Sequence, residues 1–395
     1  MPYVENKTIH DADSHVMEFP EKILDYVEAK YRSDLQSRIK PVPESWVEEM
    51  TQLHDDPDFV AGAESELMAR RNHQAVGAFR STDRPKTLDY LGFASQLVFT
   101  TSALSNYDLE RGSTNELALA AARAHNRMMA DFCSVDERLL ATGYVPLVDI
   151  EKAPEIAREA IDLGCKGIMI PSTCPVGHSP SHKGFDALWG LVQEAGLPIL
   201  FHVGGEDKMN QDYTRNGGAQ VLDFHCGAEN FTALTYMSIP LALWQTLSAL
   251  IMDGVFDRFE NLQFGAIELG ASWVPSWMRF LDSGTAAFMK GEERLQKLSA
   301  KPSEIAQRQF KVTPYPHEPT GWIIENSGPE MCMFSSDFPH VEGGRNPLKR
   351  FGDALADISL ADQQRFYRDN FIDLMGKGLD SKLHGKRDWA ISTSN

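Results

Sequence analysis

Short apolar runs that end in polar or small residues recur along the chain, and stretches with helical periodicity separate them. Each run has the length and the composition of a strand that is buried on both faces. The stretches 153–163 and 185–195 are typical of helices, and Gly164 and Gly196 follow them as glycine often follows a helix. The predicted strands lie at 9–13, 97–101, 140–145, 167–171, 198–202, 263–267 and 331–336.

This alternation of strands and helices predicts an α/β fold with a parallel sheet. About seven strands can be counted, which favours a closed (β/α)₈ barrel of the TIM type as one domain over 1–395. An open doubly wound sheet shows a similar alternation and remains the alternative. The charged, helix-like stretch 20–84 is interpreted as an insertion after the first strand, and the polar stretch 376–395 as a C-terminal arm.

Composition narrows the classes of function. A net charge of −18 argues against nucleic acid or an anionic membrane surface as a partner. The five cysteines are scattered without a CxxC pair, and no signal-type leader is present, so we expect a reducing, cytoplasmic location. No apolar run reaches the roughly 18 residues that a membrane helix needs, so we expect no membrane-spanning helix. Phosphate-loop, GxSxG and GxGxxG motifs are absent from the sequence.

Acidic and imidazole side chains end four of the predicted strands. Strand ends converge on one mouth of a barrel, so side chains that are distant in sequence become neighbours there. The first three candidates alternate along one strand, and a period of two predicts that they point to the same side. Imidazole with carboxylate suits zinc, iron or manganese. The metal-ligand candidates are Asp11, Asp13, His15, His202, Glu268 and Asp337.

Other candidates keep two interpretations each. His225 is either a ligand or proton shuttle, which would make it catalytic with Glu268 and Asp337, or a local helix cap. His340 lines the pocket or donates to a carboxylate outside the ligand set. Arg345 either holds a substrate carboxylate or faces solvent. Trp273 and Phe338 give the mouth an apolar lining for substrate, or belong to the core.

Four segments resemble the amidohydrolase superfamily: Asp-Ser-His at 13–15, Phe-His-Val-Gly-Gly at 201–205, Glu-Leu-Gly-Ala-Ser-Trp at 268–273, and Ser-Ser-Asp-Phe-Pro-His at 335–340. The similarity is to the branch related to aminocarboxymuconate-semialdehyde decarboxylase and runs from about Ile9 to about Leu374. It implies a barrel, a homodimer, and a divalent zinc or manganese ion that serves decarboxylation or hydrolysis of a small, often aromatic, acid. It places ligands at Asp13, His15, His202 and Asp337.

One position departs from this resemblance. The sixth strand of family members normally supplies a catalytic histidine, and this chain has Glu268 there. A glutamate can act as a base if its pKa is raised, or it can bind metal. The candidate ligands outnumber those that a single ion needs. A non-haem diiron monooxygenase that holds two iron ions is therefore the main alternative. A non-catalytic binding protein on a decayed barrel is the third possibility.

Overall fold

Seven parallel strands form one curled sheet in which strand order follows chain order. The structure is a computed structural model that describes residues 2–204, 211–214 and 232–385. The predicted α/β class with a parallel sheet is confirmed. The strands are β1 (His10–His15), β2 (Ser95–Phe99), β3 (Leu139–Tyr144), β4 (Gly167–Met169), β5 (Ile199–His202), β6 (Phe264–Ile267) and β7 (Phe310–Val312).

Helices lie between the strands and cover the sheet. They are α1 (Ala29–Gln36), α2 (Glu44–Asp55), α3 (Pro57–Ala61), α4 (Arg84–Leu91), α5 (Leu109–Gly112), α6 (Asn115–Cys133), α7 (Ala153–Asp162), α8 (Asp186–Ala195), α9 (Ala233–Tyr236), α10 (Leu241–Met252), α11 (Val255–Arg258), α12 (Val274–Phe288), α13 (Glu293–Gln296), α14 (Pro302–Gln309), α15 (Thr320–Ser327), α16 (Pro347–Ala354), α17 (Leu360–Gln364) and α18 (Asn370–Met375). A π-helix, Arg365–Asp369, joins α17 to α18.

Every residue of the seven strands is buried, because the helices cover one face of the sheet and the sheet curls over the other. Leu200 of β5 illustrates how tightly the inside is filled. A Cβ atom on Gly167 of β4 would lie 2.5 Å from Leu200 Cδ1, and one on Gly265 of β6 would lie 2.9 Å from its Cδ2. Both glycines therefore leave the space that the leucine side chain occupies.

The predicted strand 331–336 is not a strand in the structure. The segment 332–338 instead makes two isolated bridges. Cys332 pairs with Val312 of β7, and Phe338 pairs with Ser14 of β1. One strand of the structure, β7, was not predicted. It has only three residues, includes a lysine, and follows α14 with no intervening turn.

The segment 332–338 is attached to β1 by main-chain and side-chain hydrogen bonds. The amide of Asp337 donates to the carbonyl of Asp13 at 2.9 Å, and the amide of His15 donates to the carbonyl of Phe338 at 2.8 Å. The Asp11 carboxylate accepts from the Ser336 amide at 2.7 Å and from its hydroxyl at 2.6 Å. These bonds join the two ends of the sheet.

Two chain segments bear on the expected organisation. The stretch 20–84 contains helices and no strand, and its status as an insertion stays a prediction. The stretch 376–395 is described as far as residue 385. Within it, the Lys377 amide donates to the carbonyl of Gly196, and the His384 carbonyl accepts from Arg368.

One apolar stretch departs from the expectation that none is long enough to span a membrane. Ala233–Met252 satisfies that test by length and composition. It comprises α9 and α10, and α10 buries Leu243, Leu247 and Leu250 in the core, whereas Leu234, Met237 and Leu241 are exposed.

The Asp11 hydrogen bonds generate a stability prediction. Asp11→Ala leaves buried donors of Ser336 and Gln96 without their acceptor, so the free energy of unfolding should fall by about 3 kcal/mol. Urea denaturation with a chelator present measures this without a contribution from bound metal. The control is Asp25→Ala, which removes an exposed ion pair with Lys22 and should change stability by less than about 0.5 kcal/mol. Equal losses in the two variants would contradict the assigned role.

Candidate metal centre

Four buried side chains from three strand ends converge on one point. Asp13, His15, His202 and Glu268 each offer one ligand atom, and these atoms all lie within 4.8 Å of one another. His15 Nε2 is 3.3 Å from Asp13 Oδ1, and His202 Nε2 is 3.4 Å from Glu268 Oε2. The expected convergence of strand ends therefore produces a buried His/Asp/Glu group that can hold a metal ion.

The histidine rings are oriented so that the Nε2 atom of each faces this point. His15 Nδ1 lies 2.9 Å from the carbonyl of Thr100, and His202 Nδ1 lies 3.0 Å from the carbonyl of Val203. A carbonyl only accepts, so each Nδ1 carries the hydrogen and each Nε2 is left for another partner.

Three atoms at the centre of the group lack a hydrogen-bond partner among the described residues: Asp13 Oδ1, His15 Nε2 and His202 Nε2. Buried polar atoms are normally paired, and a cation would satisfy all three at once. The donor set of nitrogen and carboxylate oxygen fits a divalent transition metal. These residues would hold such an ion.

Two of the acids adopt an unusual backbone conformation. Glu268 and Asp337 have φ values of 55° and 52°, in the left-handed region that side chains other than glycine seldom adopt. The Glu268 amide donates to Thr313 Oγ1 at 2.9 Å, and the Tyr315 hydroxyl donates to the Glu268 carbonyl at 2.7 Å. These two bonds hold the strained turn that directs the glutamate inward.

A second group overlaps the first. It contains His15, Glu268, Asp337 and His340, so two residues belong to both groups. His340 Nδ1 lies 3.0 Å from Asp337 Oδ1, and its Nε2 lies 3.0 Å from the hydroxyl of Thr101. The structure thus places His340 beside Asp337, and its role as pocket lining or as a partner of a carboxylate stays a prediction.

The charges in the group alter the acidity of its members. Burial disfavours both charged forms, but the contact between Asp13 and His15 outweighs it. The pKa of the Asp13 carboxyl consequently falls, and the pKa of His15 rises to about 9.

The expectation that Asp11 joins Asp13 and His15 is corrected. β1 has one residue more than β2 between the paired positions Asp11↔Gln96 and Ser14↔Val98, so the alternation is interrupted there. Asp11 turns instead to Ser336, and it belongs to neither ligand group. The simple period of two could not predict this interruption.

Three other predicted residues belong to neither ligand group. Trp273 donates its indole N–H to the carbonyl of Gly270 at 2.8 Å and packs on Trp277, so it belongs to the helix layer. Phe338 is fully buried, with the Arg84 guanidinium 5.1 Å from its ring centroid, and does not line the mouth. Arg345 is exposed.

The remaining predicted residue is His225, which lies outside the described residues. Its two interpretations, ligand or proton shuttle and helix cap, both stay predictions.

A buried glutamate that the sequence did not single out organises the loop after β2. The Glu18 carboxylate accepts from the amides of Thr101 and Ala103 at 3.1 and 2.8 Å. It also accepts from the hydroxyl of Thr100. The same loop supplies the Thr100 carbonyl to His15, so Glu18 acts on the centre through this loop. A lone glutamate three residues after a strand carries no sequence signal for that role.

Arg71 is a second residue that the sequence did not single out. All three guanidinium nitrogens are buried and have no hydrogen-bond partner among the described residues. Burial lowers the pKa of Arg71, while the Asp337 carboxylate is the leading charge that favours its protonated form. The neighbouring amide of Asn72 donates to the carbonyl of Pro339 at 2.8 Å, which fixes this part of the chain beside the centre.

A small cavity of about 10 Å³ touches the acids of the centre and is lined by Asp13, Glu268, Thr313, Pro314, Tyr315, Pro316, Ser335, Asp337, Glu342 and Gly343. A space of this size admits about one water molecule or ion.

Comparison with known proteins places this geometry in a family context. The family model described as amidohydrolase matches residues 51–375. No curated protein matches the chain by sequence. An amidohydrolase from Mycobacterium avium subsp. paratuberculosis K-10 has a similar structure, with a TM-score of 0.70 and 18% identity, covering 94% of this chain and 100% of that one.

Two decarboxylases also have similar structures. A 5-carboxyvanillate decarboxylase from Novosphingobium aromaticivorans, complexed with manganese and 4-hydroxy-3-methoxy-5-nitrobenzoic acid, has a TM-score of 0.62 and 18% identity, covering 94% of this chain and 96% of that one. A 2,6-dihydroxybenzoate decarboxylase from Rhizobium has a TM-score of 0.59 and 18% identity, covering 94% and 99%. At these identities the likeness shows a shared fold.

The unpaired ligand atoms of the metal centre predict how metal content responds to substitution. His202→Ala should reduce bound metal at least about tenfold, because it removes one of the convergent nitrogen donors. Asp337→Ala should lose both bound metal and activity. Elemental analysis of protein purified without chelators measures the metal, and His317→Ala, on an exposed loop, is the control. Stoichiometric metal in Asp337→Ala would remove that residue from the ligand set.

The pKa of His15 predicts proton release. With a pKa of about 9 the metal-free His15 is protonated at pH 7, and it must lose that proton before Nε2 can bind a cation. Metal uptake at pH 7 should release about one proton from this residue, and apparent affinity should weaken as the pH falls below 9. Calorimetry in buffers of different ionisation enthalpy counts the protons. Uptake without proton release at pH 7 would contradict a metal bond to His15.

Proposed function

The chain belongs to the amidohydrolase family, and from that premise we propose that it is a metal-dependent decarboxylase of small aromatic carboxylates. The buried His/Asp/Glu group supports metal dependence. The structurally similar 5-carboxyvanillate and 2,6-dihydroxybenzoate decarboxylases support the substrate class, and manganese in the former supports the choice of metal.

The buried Arg71 guanidinium is the single observation that carries the proposal. A guanidinium with three unpaired, desolvated nitrogens is costly unless an anion occupies the site during function. Its planar donors match a carboxylate, which can accept two parallel hydrogen bonds. Because Asp337 is the leading charge acting on Arg71, the anion would sit at the edge of the metal group.

Decarboxylation of an aromatic acid breaks the bond between the ring carbon and the carboxylate and forms a C–H bond in its place. The site must therefore hold a proton near the substrate. The Asp337–His340 pair can hold one between Oδ1 and Nδ1, which are 3.0 Å apart, and Thr101 fixes the opposite nitrogen of the His340 ring. Burial and His15 lower the pKa of His340, but its contacts with Asp337 and the charge of Glu268 raise it overall. A bound divalent ion would supply electrostatic stabilisation to the substrate oxygens.

Arg71→Gln tests this assignment. Loss of a bidentate contact to carboxylate should lower kcat/KM at least about 100-fold, equivalent to about 2.7 kcal/mol, with metal content unchanged. The assay follows CO₂ release from a panel that includes 2,6-dihydroxybenzoate and 5-carboxyvanillate. Arg345→Gln is the matched control, because that arginine is exposed and should leave kcat/KM within about twofold. Full activity in Arg71→Gln would refute the role of Arg71.

A diiron monooxygenase is the second candidate, and the overlap of the two ligand groups favours it. Six residues form the two groups, and Glu268 belongs to both, as a carboxylate that bridges two ions would. The number of metal ions per chain distinguishes the candidates. About one manganese or zinc supports the decarboxylase, while about two irons with oxygen-dependent turnover would replace it.

A further inference from the structure

Lys311 is a buried lysine in the middle of β7, far along the chain from any residue of the metal centre. Side chains alternate along a strand, and the neighbouring Phe310 packs on Trp273 and Trp277 of the helix layer. Lys311 therefore points to the other face, into the inside of the sheet. It is only 3% exposed, and its partner in the pairing with β6 is Gly265.

The Lys311 ammonium has neither a hydrogen bond nor an ion pair within 2–204, 211–214 and 232–385. Burial is the leading cause that lowers its pKa, and the charges of Asp373 and Glu330 counteract this effect only in part. The stem of the side chain is buried and the ammonium faces the groove, so it is free to contact an anion that enters from solution.

The side chain lines an open groove of about 660 Å³ whose walls are Gln263, Glu304, Gln307, Arg308, Lys311, Glu330, Arg365 and Asp373. Gln263 directly precedes β6, and Arg308 lies in the last turn of α14 just before β7. The groove consequently lies at the amino-terminal end of the parallel strands, whereas Glu268 follows β6 at the opposite end. It is separate from the metal centre.

Two further cations flank Lys311 and are only partly engaged. Arg308 uses Nε and Nη2 for Gln309 and Nη2 also for Asp257 at 3.2 Å, whereas Arg365 uses Nη1 for Asn370 at 3.3 Å and for Asp373 at 3.5 Å. Both arginines are about 40% exposed in their side chains and can turn part of their donor set toward a ligand.

The acids of the groove occupy more exposed positions. Glu304 and Asp373 are exposed and Glu330 is half-buried, so solvent screens them more than it screens Lys311. The Asp373 carboxylate moreover already forms an ion pair with Arg365 at 3.5 Å. The strongest unscreened charge in the groove is therefore positive.

We infer that this groove is a binding site for a small oxyanion, a phosphate or carboxylate group that contacts the Lys311 ammonium between Arg308 and Arg365. The amides of Gln263 and Gln307 lie in the same wall and supply neutral donors. The flanking acids favour a ligand that also carries hydroxyl or ammonium donors over one that is anionic throughout. The site is independent of the proposed decarboxylase activity.

Thermal unfolding of the full-length protein as purified tests the site. Sodium phosphate and sodium acetate are titrated separately against sodium chloride at constant ionic strength. A ligand that binds the folded state raises the midpoint in a saturable manner. We expect saturation with at least one of the two oxyanions. Saturation with phosphate alone identifies a phosphate-bearing ligand, and saturation with acetate identifies a carboxylate.

Three variants localise the effect. Lys311→Met keeps the apolar stem and removes the charge, so binding should weaken at least tenfold. Lys297→Met, an exposed lysine, should leave binding unchanged. Arg71→Gln removes the unpaired arginine beside the metal centre. Saturation should persist in this variant, which separates the groove from the metal centre.

Lys311→Met also reports on its own folding. Removing an unpaired buried charge should raise the thermal midpoint without added anion, and that rise would show a folded variant. Absence of saturation with both oxyanions in the unaltered protein would overturn the inference. Undiminished binding in folded Lys311→Met would overturn it equally. If Lys311→Met does not fold, Lys311→Arg replaces it, and phosphate affinity unchanged in both Lys311→Arg and an Arg308→Gln variant would also overturn it.

Discussion

The hydrogen bonds between Asp11 and Ser336 are the constraint on which the site depends. Seven strands leave a gap between β7 and β1, and an irregular segment fills it with two isolated bridges instead of a ladder. Main-chain hydrogen bonds join this segment to β1 and β7, and the Asp11 carboxylate adds two bonds from Ser336. Asp337 follows Ser336 directly, and its amide bonds to the Asp13 carbonyl. The bonds that join the two ends of the sheet therefore also fix the position of Asp337.

The metal centre concentrates features that lower the stability of the metal-free protein. Unpaired polar atoms, two acids with left-handed backbone conformations and several buried charges meet within a few ångströms. Each strained acid alone costs on the order of 1–3 kcal/mol. The surrounding packing offsets this, as the close fit of Leu200 against Gly167 and Gly265 illustrates. Metal binding to the folded state alone would add further stability.

The sequence predicted the parts of the molecule that follow from periodicity. The strand ends carried His15, His202 and Glu268, and parallel strands necessarily bring such ends together. The prediction was wrong where one extra residue interrupts the alternation in β1, which turns Asp11 away. It also missed β7, whose three residues are too few to show a period. The roles of Arg71 and Lys311 could not be predicted from the sequence for another reason. Their significance lies in having no partner, and a sequence shows which residues exist but not which contacts they lack.

Arg71 lies between α3 and α4, in the chain that joins β1 to β2, whereas the metal-binding side chains lie on or directly after the strands. The two halves of the site therefore belong to different structural units, joined near the centre by the bond from Asn72 to Pro339. A connecting segment can change in length and sequence without disturbing the sheet that carries the metal ligands. This separation makes the molecule modular in evolution. Descendants could acquire new substrates by exchanging one segment while they inherit the chemistry intact.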